Sequence, residues 1–199
     1  MTTMRFFLCG SWTEGMVHFS KIQSYVQELK SAHISAKAVR TQLGFPLLLK
    51  EGANKIWGQV VDVQMPDVLL ALLDEFHGFN PSQPEKGLQT REEVEILTED
   101  GPCKAWAYFV NPKKLPANCA EIENGDWKQS LDQAPSMMEA LTEKQKEYVL
   151  KLGAVSGRDI VPINDLSLYR ELMKLELIVD KGRRLALSKL GREVYQHLV

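Results

Sequence analysis

The sequence predicts an α+β protein in two unequal parts, and three features predict it. Over residues 6–110, short apolar runs bounded by turn residues read as β-strands around at least one helix. From about residue 141, apolar residues recur at helical spacing behind capping residues. Between these regions, residues 111–136 are punctuated by Pro112, Pro116, Asn118, Gly125 and Pro135 and hold no period. A chain of 199 residues suits a main domain with a small appendage, divided here as 1–112, a linker 113–138, and 139–199.

Residues 6–9 read as a buried strand that stops at Gly10, because apolar bulk followed by Gly marks a strand-to-loop transition. Phe19, Ile22, Val26 and Leu29 are spaced for one face of a helix over 18–29. Short strands are expected over 38–43 and 45–49 around Gly44, and another over 57–63, where apolar and polar residues alternate. Pro66 and Asp67 open a helix whose apolar side is supplied by 68–76 and which Gly78 ends. Strands over 94–97 and 105–110 flank the turn Glu99-Asp100-Gly101-Pro102. The linker is read as a connection wrapping the first domain. Beyond it, Leu141, Tyr148, Val149 and Leu152 share a face behind Thr142, and Leu168, Leu172 and Leu175 share one behind Asp165. A hairpin around Lys181-Gly182 and a last helix behind Ser188 complete the chain.

Composition excludes several classes. Hydrophobic residues make up 44% and charged residues 25%, with a formal net charge of −2. These values are those of a globular protein, not of a disordered tail or a basic nucleic-acid arm. The longest apolar stretch, from Val68 to Leu73, is far short of a membrane span. The N-terminus lacks a signal-peptide pattern, so the cytosol is the expected location and no membrane partner is expected. Cys9, Cys103 and Cys119 show neither a disulfide framework nor zinc-ligand spacing, and His33 and His197 have no partners at ligand spacing. No cofactor and no metal is expected. The oligomeric state is not legible.

The most informative segment is the loop Cys9-Gly10-Ser11-Trp12. A strand that turns at Gly-Ser exposes backbone N–H groups beside a hydroxyl, which suits a carboxylate or a developing oxyanion. The loop is followed in order by Gly44-Phe45-Pro46, by Val60-Val61-Asp62-Val63, by Leu72-Leu73-Asp74-Glu75-Phe76-His77-Gly78, and by Arg91 ahead of a strand. This ordered set, with the late strand 105–110, resembles the gamma-glutamylcyclotransferase-like superfamily over about residues 6–110. That family has a Tyr-Gly-Ser/Thr loop, a Gly-x-Pro element and a helix ending Leu-Asp-x-x-Glu-Gly. The resemblance implies a mixed, partly closed β-barrel and a pocket between Gly10 and the helix end.

It also implies a ligand class: a small gamma-glutamyl-type amino-acid derivative, cleaved by attack of its own α-amine with release of 5-oxoproline. Carried onto this chain, Cys9, Gly10, Ser11, Trp12 and Arg91 fall at substrate-binding positions and His77 at the position of the catalytic Glu. Cys9 replaces the family's Tyr, and Gln89 replaces the Tyr that precedes the Arg. Three outcomes are open at His77: loss of the reaction, an imidazole acting as the base, or its replacement by Glu75. Glu75 should point some 160° away from His77 on a helix. Cys9 with His77 or His18 offers a thiol–imidazole pair as a further alternative.

Several other residues are read as structural. Trp57, Trp106 and Tyr108 are expected in the core, while Trp12 is expected to narrow the pocket. Glu92, Glu93 and Glu95 read as a solvated strand face. The segment from Leu141 resembles a winged-helix domain, whose DNA contacts would fall on Arg170, Lys174, Arg183 and Arg184. Residues 135–199 carry 11 Lys+Arg against 9 Asp+Glu, a faint basic footprint. Nucleic acid is therefore not expected, and the alternative to an enzyme is a non-catalytic ligand-sensing or protein-interaction module.

Overall fold

A computed structural model describes residues 4–116, 119–155 and 159–199, which divide into two units, Met1–Ser136 and Met137–Val199. In the first unit, β1 (Met4–Leu8) pairs antiparallel with β3 (Pro46–Val63) and parallel with β5 (Gly101–Val110). The hairpin of β4 (Gln89–Thr98) and β5 continues the sheet to β2 (Val26–Arg40). Because β2 also pairs along β3, the five strands form a ring. The apolar run Phe6-Phe7-Leu8 that ends β1 reflects burial on both faces. Phe7 enters the core inside the ring with Val60, Ile96 and Phe109. Phe6 and Leu8 pack with Val61, Leu69 and Leu73 beneath α1 (Pro66–His77).

Three sequence expectations fail at β2 and β3. Residues 18–29 are not a helix; two 3-10 turns, Phe19–Lys21 and Gln23–Tyr25, lead straight into β2. From Val26↔Val63 to Arg40↔Pro46 the backbone is paired with β3, and that ladder overrides a weak helical period. Ile22 is fully buried all the same, so the apolar face exists without the helix. The strands expected at 45–49 and 57–63 are one 18-residue strand, with a register shift opposite Ala36 and Lys37. Trp57 is 47% exposed on that strand, under the Lys55 ammonium, and does not fill the core. Tyr108 is buried and Trp106 partly so.

Residues 113–138 do not behave as a free linker. The short strand β6 (Ala120–Glu121) pairs with β2, and α2 (Trp127–Gln133) follows behind an Asp126 cap. Ile122 and Trp127 enter the ring's core, and Trp127 Nε1 donates to the Gly44 carbonyl at 2.7 Å. The connection was not recognised as structure because its apolar residues are isolated among turn residues.

The second unit comprises α3 (Met137–Ala140), α4 (Glu143–Ala154), α5 (Leu166–Lys174), the hairpin of β7 (Ile178–Asp180) and β8 (Leu185–Leu187), and α6 (Lys189–Leu198). Thr142, Asp165 and Ser188 cap the three longer helices, as their sequence positions indicate. Val149, Leu172, Leu177, Ile178 and Val194 are buried in it. Among the described residues, no helix is long and apolar enough to cross a membrane.

Candidate functional site

β1 ends at Leu8, and the chain passes through extended Cys9 into a 3-10 turn, Gly10–Trp12. Gly10 has φ +65, and a Cβ there would collide with the Pro46 ring, so the turn requires glycine on both counts. The N–H and hydroxyl of Thr13 close the turn on the Gly10 carbonyl at 3.1 and 2.8 Å. Pro46 opens β3, so the family's two short motifs, Gly10-Ser11 and Gly44-Phe45-Pro46, meet here.

Ser11 and His18 are each 4% exposed. Ser11 Oγ lies 2.8 Å from His18 Nδ1, and the His18 N–H donates to the Ser11 carbonyl at 2.9 Å. Trp12 is 3% exposed, with its ring centroid 4.7 Å from Phe76, 5.0 Å from His18 and 6.3 Å from His77. The indole thus packs between the loop and the end of α1, and its Nε1 is buried without a partner among the described residues.

α1 begins at Pro66 and ends at Gly78, whose φ of +61 lets its N–H reach back to the Glu75 carbonyl. His77 stacks on Tyr108, with ring centroids 4.1 Å apart and planes 15° from parallel. Burial pushes its imidazole pKa down to about 3; Gln89 opposes that fall, and nearby His18 adds to it. A helix C-terminus favours a cation, but here burial wins and the ring is neutral. Its Nδ1 is sealed off without a partner among the described residues. Glu75 is exposed, away from this group of side chains.

Asp74, one turn before His77, holds the only carboxylate among the described residues shown in direct hydrogen bonds here. Arg91 Nη1 donates to both its oxygens at 2.8 and 2.6 Å, and the Tyr108 hydroxyl donates at 2.6 Å. Burial and then Asp74 push the Tyr108 pKa up, keeping the phenol protonated. The guanidinium lies over Phe79 and Trp106, 5.0 and 5.2 Å from their centroids. Arg91 therefore already has a carboxylate, a structural partner that its expected role in ligand binding did not include. Burial pushes the Cys9 thiol up to about 12, so thiolate is scarce at neutral pH, and it is Ser11 that His18 contacts.

The structure thus gathers Gly10, Ser11, Trp12 and His77 in one place, with Arg91 reached through Asp74 and Tyr108. Sequence reasoning passed over His18 as a partner of Ser11, and quoted Asp74 in the helix-end motif without giving it a role. Asp74 was detectable from its i, i+3 spacing to His77, which puts the two on one helix face. Among the described residues, no group of three or more His, Cys, Asp or Glu side chains is placed to hold a metal ion.

The backbone is similar to YkqA from Bacillus subtilis, with 18% identity, a TM-score of 0.50, and coverage of 67% of this chain and 42% of that one. It is also similar to an AIG2-like protein from Mus musculus, at 15% identity and TM-score 0.44, covering 58% and 86% of the two chains. A third likeness is to ytfP from Escherichia coli, at 24% identity and TM-score 0.43, covering 62% and 96%. This chain spans less than half the length of YkqA. No curated protein matches the sequence. The family model described as gamma-glutamyl cyclotransferase, AIG2-like, matches residues 6–129. That match covers more than half of the chain and takes in the loop, α1, the ring and the first residues of α2, so the protein belongs to the gamma-glutamyl cyclotransferase, AIG2-like family.

Proposed function

We propose that the first unit recognises a small gamma-glutamyl-type amino-acid derivative but does not close its ring to 5-oxoproline. The observation that supports this reading is the sealed Nδ1 of His77, the residue that the resemblance puts at the family's Glu position, with its imidazole pKa pushed down by desolvation. Ring closure needs a base to take a proton from the substrate's α-ammonium, whose ordinary pKa is near 8. The conjugate acid of His77 has a pKa of about 3. The proton transfer is then steeply uphill. Asp74 cannot stand in, because Arg91 and Tyr108 occupy its oxygens. Support for the ligand class comes from family membership and from the retained Gly10-Ser11 loop beside Pro46.

The test is a panel of gamma-glutamyl amines and peptides assayed for 5-oxoproline. The native protein should release none above buffer, and His77→Glu should release it at least about a hundredfold above that background, the low end for a positioned base. Release by the native protein that His77→Ala abolishes overturns the reading. A ligand that fits the site should raise the melting temperature, since about 100-fold excess over Kd adds roughly 2.7 kcal/mol of stability.

A further inference from the structure

We propose that Ser11 and His18 form a nucleophile–base pair and that the site cleaves gamma-glutamyl amides through a covalent Ser11 ester; the substrate class rests on the reading above. Four observations carry this. Ser11 Oγ and His18 Nδ1 are at hydrogen-bond distance, 2.8 Å, the separation an activated serine requires. With Nε2 carrying the ring proton, Nδ1 accepts from Ser11 Oγ–H. Second, the serine sits on the 3-10 turn that follows β1, held by Gly10 against Pro46 and by Thr13 on the Gly10 carbonyl. Third, the base is fixed at both ends of its residue: its backbone N–H is bonded to the Ser11 carbonyl, and its ring packs edge-on to Phe76 at 4.7 Å and near Phe45 at 5.9 Å. Fourth, an unused donor lies alongside. Trp12 Nε1–H is buried without a partner among the described residues, on a ring 5.0 Å from His18. A buried N–H left without an acceptor is costly, and a developing oxyanion is an acceptor.

The step balances with water as the co-reactant. Ser11 Oγ bonds to the γ-carbonyl carbon as its proton passes to His18 Nδ1. The C–N bond breaks and that proton leaves on the amine. Water then attacks the Ser11 ester, giving its proton to His18, which returns it to Ser11 Oγ as glutamate departs. The α-ammonium stays protonated because neutral His77 does not take its proton, so water and not the amine resolves the ester.

The experiment treats the intact chain with a fluorophosphonate probe and maps the adduct by mass spectrometry, then supplies gamma-glutamyl-p-nitroanilide. Ser11 should be labelled, Ser11→Ala should not react, and His18→Gln should react at least about a hundredfold more slowly. Trp12→Phe keeps the ring and loses the N–H, and should slow nitroaniline release about a hundredfold. The other product should be glutamate. Melting curves confirm that each variant is folded; if His18→Gln is not, Trp12→Phe and Ser11→Ala still decide. No labelling of Ser11 in the native chain, or labelling that His18→Gln leaves unchanged, overturns the pair. Labelling without nitroaniline release removes the gamma-glutamyl substrate and leaves the pair standing. Stabilisation by a gamma-glutamyl ligand without labelling or release removes the pair and leaves the pocket.

Discussion

Asp74 and His77 stand one turn apart on α1 and meet opposite electrostatic fates. Asp74 accepts three hydrogen bonds from Arg91 and Tyr108, whereas desolvation pushes the His77 pKa down and its Nδ1 is sealed from water. The Asp74–Arg91 pair is mostly buried, with the two side chains 14% and 16% exposed. Removing one partner of such a pair leaves the other charge uncompensated and costs roughly 3–5 kcal/mol. Arg91→Met should therefore lower the free energy of unfolding in urea by about 3 kcal/mol, and adding Asp74→Asn should recover part of that loss. An unchanged midpoint in Arg91→Met would show that the pair is not structural. The sequence made Gly10, Ser11, Arg91 and His77 visible, because each belongs to a short motif in a fixed order. It could not show what they touch. The partners of Asp74 are 17 and 34 residues away, and only the folding of β4 and β5 beside α1 brings them there.

Elements bounded by local chemistry were legible, and elements made by distant pairing were not. Pro66, Gly78, Thr142, Asp165 and Ser188 act on backbone groups within a few residues, so both ends of α1 and the starts of α4, α5 and α6 follow from the sequence. Val26 and Leu29 lie in a strand because β3 is there to receive them, which no local period announces. The segment 111–136 was missed for the same reason. Its contribution lies in Ile122 and Trp127, which fill the ring's interior from outside any strand of that ring. A chain ending at residue 112 lacks both and exposes that core. Losing a buried Trp alone costs about 3–5 kcal/mol. The truncated chain should fail to give a cooperative melt, while one ending at 136 should melt cooperatively. Cooperative melting of the shorter chain would mean that the segment is an accessory.

At the scale of the whole molecule, the buried imidazole should appear in the pH dependence of stability. The folded pKa of His77, about 3, lies below its ordinary 6.5, so below pH 6.5 the unfolded chain takes up a proton that the native ring excludes. The contribution of the neutral ring is complete above pH 6.5 and is lost progressively as pH falls toward 3. His77→Gln, which cannot titrate, should flatten the fall in melting temperature over that window, and an unchanged slope would mean that the native ring takes up the proton as the unfolded one does. The division into two units leaves this effect to the first, where His77 lies. The proposed absence of ring closure, and with it the proposed choice of water over the α-amine, depends on that single protonation state. The most direct measurement is a titration of the histidine ring signals by NMR in the intact chain, with His77 assigned through His77→Gln. A signal that stays neutral down to about pH 4 is expected. A His77 signal that titrates between pH 6 and 7 would contradict the account, because that ring could serve as the family's base.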